Sequence, residues 1–374
     1  MKIGVPKELA AKERRVALTP EACAALIKAG FEILVEAGAG SAAYFTDDEF
    51  RKAGATIADA SVVFGEADLV VKLGKPEENR TLGRHEVDAM REGAAFISFL
   101  NVNCDPDLLE RFAKRRITSF SMERIPRISR AQSMDALTSQ ASVSGYKAAL
   151  IAAASLPRYF PMLITASGTL APAKVLVLGA GVAGLQALAT SRRLGALVWG
   201  YDVRAAAREQ VESVGAKFLE LNIGDVDAEG AGGYAKELSE EAKLRQQRAL
   251  GERIKEFDVV ITTALIPGMP APLLITAATV AGMRPGSVIV DLAVESGGNC
   301  QLTNIAETIV SHGVTIHGPV NLPSTMPAHA SQAYAGNISA LVQHLVRDGK
   351  LTMDFADEIV KSSCLTHEGR ILQP

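Results

Sequence analysis

One stretch constrains this chain more than any other. Lys174-Val175-Leu176-Val177-Leu178 is a short apolar run of β type that ends in Gly179-Ala180-Gly181-Val182-Ala183-Gly184, a G-x-G-x-x-G pattern. A helical pattern follows over 185–194, and a second apolar run over 197–201 ends in Asp202. In a dinucleotide-binding βαβ unit every part of this has a physical task. Gly179 permits the tight turn, Gly181 lets backbone approach a pyrophosphate, and Gly184 lets the helix pack closely on the strand. The helix start offers N–H groups and the positive end of its dipole to phosphate. Asp202 lies 202 − 181 = 21 residues beyond the second glycine, the distance at which an acid accepts hydrogen bonds from an adenosine ribose. A carboxylate there repels a 2′-phosphate and favours NAD(H) over NADP(H); Arg204, which could hold such a phosphate, argues the other way. The glycines alone are weak evidence, because a glycine-rich βα turn need hold no ligand. The ordered set of strand, helix, second strand and acid is much stronger.

A length of 374 residues predicts two domains of ordinary size. Apolar residues at 48% with aromatics at only 5% suit an α/β protein whose helices lie close on their sheets. A net charge of −3 with no run of Lys and Arg gives no reason to expect nucleic acid. The four cysteines, Cys23, Cys104, Cys300 and Cys364, are far apart and form no C-x-x-C, so neither a disulfide framework nor zinc is expected and a reducing cytoplasm fits. The nearest histidines, His312 and His317, flank an expected strand, which argues against a metal. The chain opens without a signal peptide, and its most apolar long segment, 148–165, is broken by Pro157, Arg158 and Pro161. It is therefore expected to be soluble.

Along the first third, strands are expected at 2–5, 31–35, 69–72, 95–99 and 118–122 with helical patterns between them. Thr19-Pro20 starts one helix, and Thr46-Asp47-Asp48-Glu49 has the form of a capping box for another. Strands alternating with helices imply a mainly parallel sheet covered on both faces. Residues 123–138 break this rhythm and are read as a loop rich in Arg, Gln and Asp, a usual place for ligand-binding groups. A long Ala-rich helix over 139–156 then links the domains. Beyond the fingerprint, a helix is expected at 205–214 and a strand at 217–221. Residues 222–235, rich in Gly, Asp and Ala, read either as a mobile lid carrying Tyr234 or as a surface loop without a role. A charged helix at 236–255 precedes buried strands at 257–262 and 287–291. The loops after these two strands, 264–272 and 293–299, lie where ligands of doubly wound sheets bind. A strand at 314–317 completes a six-stranded unit, and a helix at 330–346 is expected to return to the first domain.

The residues resemble the NAD(H)-binding domain I, the separate α1 subunit, of proton-translocating nicotinamide nucleotide transhydrogenase, over essentially the whole chain. The most specific segments are Pro126-Arg127-Ile128-Ser129-Arg130-Ala131-Gln132-Ser133-Met134-Asp135, Ala231-Gly232-Gly233-Tyr234-Ala235-Lys236-Glu237 and Thr262-Thr263-Ala264-Leu265-Ile266-Pro267-Gly268. The resemblance implies two Rossmann-like doubly wound domains with a cleft between them. The first would be residues 1–138 with 325–374, and the second, residues 139–324, would carry the dinucleotide fingerprint. It implies that Arg127, Ile128, Ser129, Gln132, Asp135 and Thr138 surround the nicotinamide end of NAD(H). Gln132, with Arg127 and Asp135, would do the catalytic positioning, and Gln132 would also reach the nicotinamide ribose of NADP(H) held by a partner. Gly179, Ala180, Gly181, Val182 and Gly184 would meet the pyrophosphate, and Asp202, Val203 and Arg204 the adenosine side. Gly233 and Tyr234 would close over the nucleotide, and Gln246, Ala264 and Leu265 would complete the wall. No metal is implied. The implied partners are a second copy of the chain, an NADP(H)-binding domain III and membrane-embedded subunits, which would place the chain peripherally at the inner membrane.

The chain also resembles alanine dehydrogenase in Ile3-Gly4-Val5-Pro6-Lys7-Glu8, Arg15-Val16-Ala17-Leu18-Thr19-Pro20 and His367-Glu368-Gly369. That family needs a lysine for the keto acid and a histidine as acid/base, because amine oxidation moves protons as well as hydride. The lysine falls opposite Gly74 here, with Lys72 and Lys75 close by, and the histidine opposite Asn101. Arg15 matches that family's carboxylate-binding arginine. Asparagine cannot replace a titrating imidazole, whereas direct hydride transfer between nicotinamides needs no acid or base. The transhydrogenase reading is therefore preferred over an amino-acid dehydrogenase and over an NAD(H)-sensing module without chemistry.

Overall fold

The computed structural model describes residues 1–101, 105–221, 238–266 and 269–372. These divide into two units, Met1–Gln140 with Pro323–Pro374, and Ala141–Leu322. In the first unit the strands Lys2–Val5, Glu32–Glu36, Thr56–Ala58, Leu69–Val71, Ala95–Ser98 and Thr118–Ser121 run parallel. Numbered along the chain, they lie in the spatial order 3-2-1-4-5-6, the doubly wound arrangement. Cys364–His367 and Arg370–Ile371 extend the sheet as antiparallel strands beyond Thr118–Ser121.

Alternate residues of the first unit's strands enter separate cores. Ile97 joins Ile3, Val5 and Phe50, whereas Phe96 packs with Phe112 and Leu109 on the other side, as a sheet covered on both faces requires. The Asp47–Lys52 helix carries the expected capping box. The Thr46 N–H donates to Glu49 Oε2 at 2.6 Å, and the Glu49 N–H donates to Thr46 Oγ1 at 3.3 Å.

In the second unit the same order recurs with Lys174–Leu178 as the first strand, flanked by Leu197–Tyr201 and Val259–Thr262. Lys217–Phe218, Val288–Asp291 and Val314–His317 complete a parallel six. Val175 and Val177 face one core and Leu176 and Leu178 the other. A seventh strand, Thr308–Ser311, pairs antiparallel with Val314–His317 at the edge, and the sequence reading did not include it. Its connection is His312-Gly313 with φ of 51° and 77°. Two positive φ values in a two-residue loop make the kind of hairpin turn whose twist matches the strands.

The segment 123–138 is not the open loop expected. It folds as two 3₁₀ turns, Met122–Arg124 and Ser129–Met134, and then enters the helix Ala136–Ser155 three residues before the expected start. Asp135 explains the early start. Its carboxylate accepts from the Thr138 N–H at 2.9 Å and the Thr138 hydroxyl at 2.6 Å, satisfying donors that a helix start leaves without partners. Downstream, the expected helix at 205–214 shortens to Ala207–Ser213 and the strand at 217–221 to Lys217–Phe218.

Candidate dinucleotide-binding site

The turn after Lys174–Leu178 separates the work of the three glycines. Gly179 has φ +96°, and a Cβ there would stand 2.8 Å from Thr263 Oγ1 and 2.9 Å from the Ala264 nitrogen, so only glycine is accepted. A Cβ on Gly184 would run into the carbonyl of Gly179, so its task is the close approach of the Val182–Arg193 helix to the strand. Gly181 differs. Among the described residues, nothing lies within 4 Å of where its Cβ would be, so none of them accounts for the missing side chain. It is also the N-cap of Val182–Arg193 and supplies no side-chain cap, and a helix start leaves its first-turn N–H groups without helical partners. This is the geometry a pyrophosphate would use, and the residues present fit a dinucleotide.

The same helix start is pressed from behind. A Cβ on Gly145, inside Ala136–Ser155, would run into the Ala183 carbonyl. Gly145 therefore sets how near this long helix comes to the fingerprint. A glycine inside an Ala-rich helix gives no local sign of that role.

Asp202 lies one residue beyond the Leu197–Tyr201 strand. Its Oδ2 accepts from the Ala180 N–H at 2.8 Å, and Oδ1 accepts from the Arg204 N–H at 2.9 Å. The Arg204 guanidinium adds contacts of 2.8 Å to Oδ1 and 2.7 Å to Oδ2. Burial by itself would raise this carboxyl, but Arg204 and the backbone N–H groups of Arg204 and Ala180 outweigh it and hold it below its ordinary value. The acid and the arginine that argued for opposite cofactors are thus one ion pair, tied to the middle of the fingerprint. Val203 is half-buried between them.

Gln246 is buried, and its amide donates to Tyr201 Oη at 3.0 Å. Burial pushes the Tyr201 phenol up to about 12 despite that bond. Ala264 is half-buried and Leu265 exposed at the mouth of Val259–Thr262. Thr263 Oγ1 donates to the Gly179 carbonyl at 2.9 Å. Asn299, fully buried, brackets Ala264. Its Oδ1 accepts from the Ala264 N–H at 3.0 Å and its Nδ2 donates to the Ala264 carbonyl at 2.9 Å. The sequence reading placed the 293–299 loop near ligand but did not single out Asn299.

Within the first unit, Arg127, Ser129 and Gln132 are exposed, and Ile128, Asp135 and Thr138 are half-buried. The Ser129–Met134 turn is anchored through its neighbours. Asn337 Nδ2 donates to the Ser133 carbonyl at 2.8 Å, and Arg130 pairs with Asp357 at 2.7 Å. Asp135 and Thr138, expected to bind cofactor, also form the helix start described above. Gly233 and Tyr234 lie outside the described residues, as do Pro267 and Gly268.

The dehydrogenase positions are occupied otherwise. Lys72 is buried with its ammonium 2.7 Å from Glu86 and 3.9 Å from Glu8. The Leu73 and Gly74 N–H groups donate to Glu8 at 2.7 Å and 3.3 Å. Arg15 is held by Glu13 through both carboxylate oxygens and by Gln140 at 2.8 Å. Lys75 is exposed, and Asn101 is exposed with φ +73°.

The N-terminal domain family of alanine dehydrogenase/PNT matches residues 4–144, and the C-terminal domain family of alanine dehydrogenase/PNT matches residues 148–374. The first part of the NAD(P) transhydrogenase alpha subunit of Rhodospirillum rubrum is 48% identical over 378 residues, spanning 100% of this chain and 98% of that protein. The crystal structure of transhydrogenase from Sinorhizobium meliloti superposes with a TM-score of 0.87 at 40% identity, covering 99% of this chain and 100% of that one. A solved L-alanine dehydrogenase follows at TM-score 0.80 and 26% identity, covering 100% and 97%. Matched from residue 4 to its end, with the same fold as both kinds of relative, the chain belongs to the alanine dehydrogenase/PNT family.

Proposed function

We infer that this chain is the NAD(H)-binding subunit of a nicotinamide nucleotide transhydrogenase and positions NAD(H) for hydride exchange with NADP(H) held by a partner. One observation carries the choice within the family. Glycine and asparagine, Gly74 and Asn101, stand where the dehydrogenase resemblance calls for lysine and histidine, while the glycine fingerprint around Gly181 is present. Oxidising an amine requires a group that takes up a proton. Exchange of hydride between two nicotinamides releases no proton, and a site for it needs only alignment and exclusion of water.

The fingerprint turn and the Val182–Arg193 helix start would hold the pyrophosphate. Asp202, with Val203 and Arg204, would hold the adenosine ribose, and Ala264 and Leu265 would line the other wall, with Gln246 behind Tyr201. Bound NAD(H) supplies the hydride chemistry. Arg127, Gln132 and Asp135, with Ile128, Ser129 and Thr138, would orient the nicotinamide end, Gln132 acting as a hydrogen-bonding group without proton transfer. Gly233 and Tyr234 would cover the nucleotide. The remaining machinery belongs to partners: an NADP(H)-binding domain III and membrane subunits that couple the exchange to proton translocation. No helix among the described residues is long and apolar enough to cross a membrane, which accords with a peripheral place for this chain. A second copy is proposed as a further partner, supported by the hairpin Leu163–Thr165 and Gly168–Leu170, which exposes Ile164 and Leu170.

The test mixes the purified chain with an NADP(H)-binding domain and follows hydride transfer from NADH to an NADP⁺ analogue. Transfer is expected only with both proteins present, and alanine with NAD⁺ alone should yield no NADH; brisk alanine turnover would overturn the reading. Gln132→Asn should slow transfer by about 10-fold or more with NADH affinity nearly unchanged. Equal loss of affinity would remove the positioning role from Gln132.

A further inference from the structure

Asn299 uses its whole side-chain amide on the loop that follows Val259–Thr262. Besides the two bonds to Ala264, Nδ2 donates to the Pro272 carbonyl at 2.8 Å. The Asn299 carbonyl accepts from the Leu274 and Ile275 N–H groups at 2.8 Å and 2.9 Å. The side chain is completely buried, where a lost partner leaves polar backbone groups unsatisfied. Its neighbour is fixed as well: the Cys300 N–H donates to Asp291 Oδ2 at 3.0 Å, and Asp291 Oδ1 accepts from Thr262 Oγ1 at 2.8 Å.

Two clamps therefore bear on the fingerprint turn, Asp202 directly from the second strand and Asn299 from beyond the fifth, Val288–Asp291, through the Thr263-Ala264 segment. Asp202, after the second strand, grips Ala180. Asn299 grips Ala264 after the fourth, and Ala264 follows the Thr263 that is bonded to Gly179. In a 3-2-1-4-5-6 sheet a dinucleotide lies across the switch point with its adenosine half over the second strand and its other half over the fourth and fifth. We propose that Asn299 is a positioning residue for the nicotinamide-ribosyl half of the dinucleotide, setting where the Ala264–Leu265 backbone stands against Gly179. This rests on the dinucleotide reading above, and it separates the two halves of the ligand: Asp202 governs one and Asn299 the other.

The separation can be measured by calorimetry with NADH, which spans both halves, and ADP, which occupies only the adenosine half. Asn299→Asp keeps size and the acceptor for the Ala264 N–H but removes both donors. NADH binding should weaken at least about 10-fold while ADP binding stays within about two-fold. A merely structural role would weaken both ligands alike, and that result, or no change in either, overturns the proposal. Should the buried carboxylate prevent folding, Asn299→Ser removes both donors, and the acceptor for the Ala264 N–H with them, without adding charge and must show the same split. If the unaltered protein binds neither ligand, the dinucleotide reading itself fails, a result distinct from loss of the split.

Discussion

The two units have the same strand order, yet their switch points are finished in opposite ways. In the first unit the point between Lys2–Val5 and Leu69–Val71 is filled by the protein's own groups. Glu8 takes the Leu73 and Gly74 N–H groups, and Lys72 is buried against Glu86. In the second unit the corresponding turn carries no side chain at Gly181, and no described residue comes within 4 Å of where its Cβ would be. A shared architecture thus says where a ligand could bind, and the loops at the strand ends decide whether it can. On the proposed reading the first unit's switch point is structural.

Four measurements would break or sharpen that contrast. The largest effect is expected at Gly184. Gly184→Val should unfold the second unit or cost it more than about 4 kcal/mol, because its Cβ meets the Gly179 carbonyl and neither backbone can yield. A variant that melts like the parent in a calorimeter would refute the packing argument.

Next is Lys72→Met in the first unit. Burial opposes the charge on Lys72, but Glu8 and Glu86 outweigh it and raise its pKa; burial in turn raises the Glu8 carboxyl against the pull of Lys72. Removing the ammonium leaves buried acids unpaired, so denaturant unfolding should show a loss of about 3 kcal/mol. NADH affinity should be unaltered in the folded variant, and a large loss of binding would make this switch point functional after all.

Gly181→Ala is expected to act in the opposite sense. Its φ is −77°, which alanine adopts freely, and no described residue would crowd the added methyl. The melting temperature should therefore change by less than about 2 °C while NADH binding falls about 10-fold. A folded variant with normal affinity would remove the pyrophosphate from this place.

The smallest effect concerns pH. Burial lowers the pKa of His317 at the end of the Val314–His317 strand. The unfolded chain then binds a proton that the folded one refuses, so stability from this source is complete above the unfolded value near 6.5 and declines as pH falls below it. His317→Gln should flatten the dependence of the melting temperature between about pH 5 and 7 by about a degree. An unchanged slope would assign that dependence to other groups.

The uneven success of the sequence reading has physical causes. Gly184, the capping box at Thr46 and the acid at Asp202 act through neighbours a few residues away or through a βαβ unit of fixed length, so spacing exposes them. The Thr308–Ser311 strand was missed because its turn, His312-Gly313, lacks the usual Asn or Asp. Residues 123–138 were read as an open loop because polar residues signal ligand loops and helix starts equally well, and Asp135 forms such a start with Thr138, three residues on.

Taken as a string of residues, this chain already specifies a doubly wound pair of sheets, a dinucleotide fingerprint and an acid suited to a ribose. Those properties follow from local geometry and from periodicity. Folding alone brings Asn299 to Ala264, 35 positions earlier, Glu8 to Leu73, 65 positions later, and Gly145 to Ala183. No local rule couples such residues, because each contact exists only once strands far apart in the chain have paired and their loops share one edge. The side chains that close one switch point and leave the other open become visible only there.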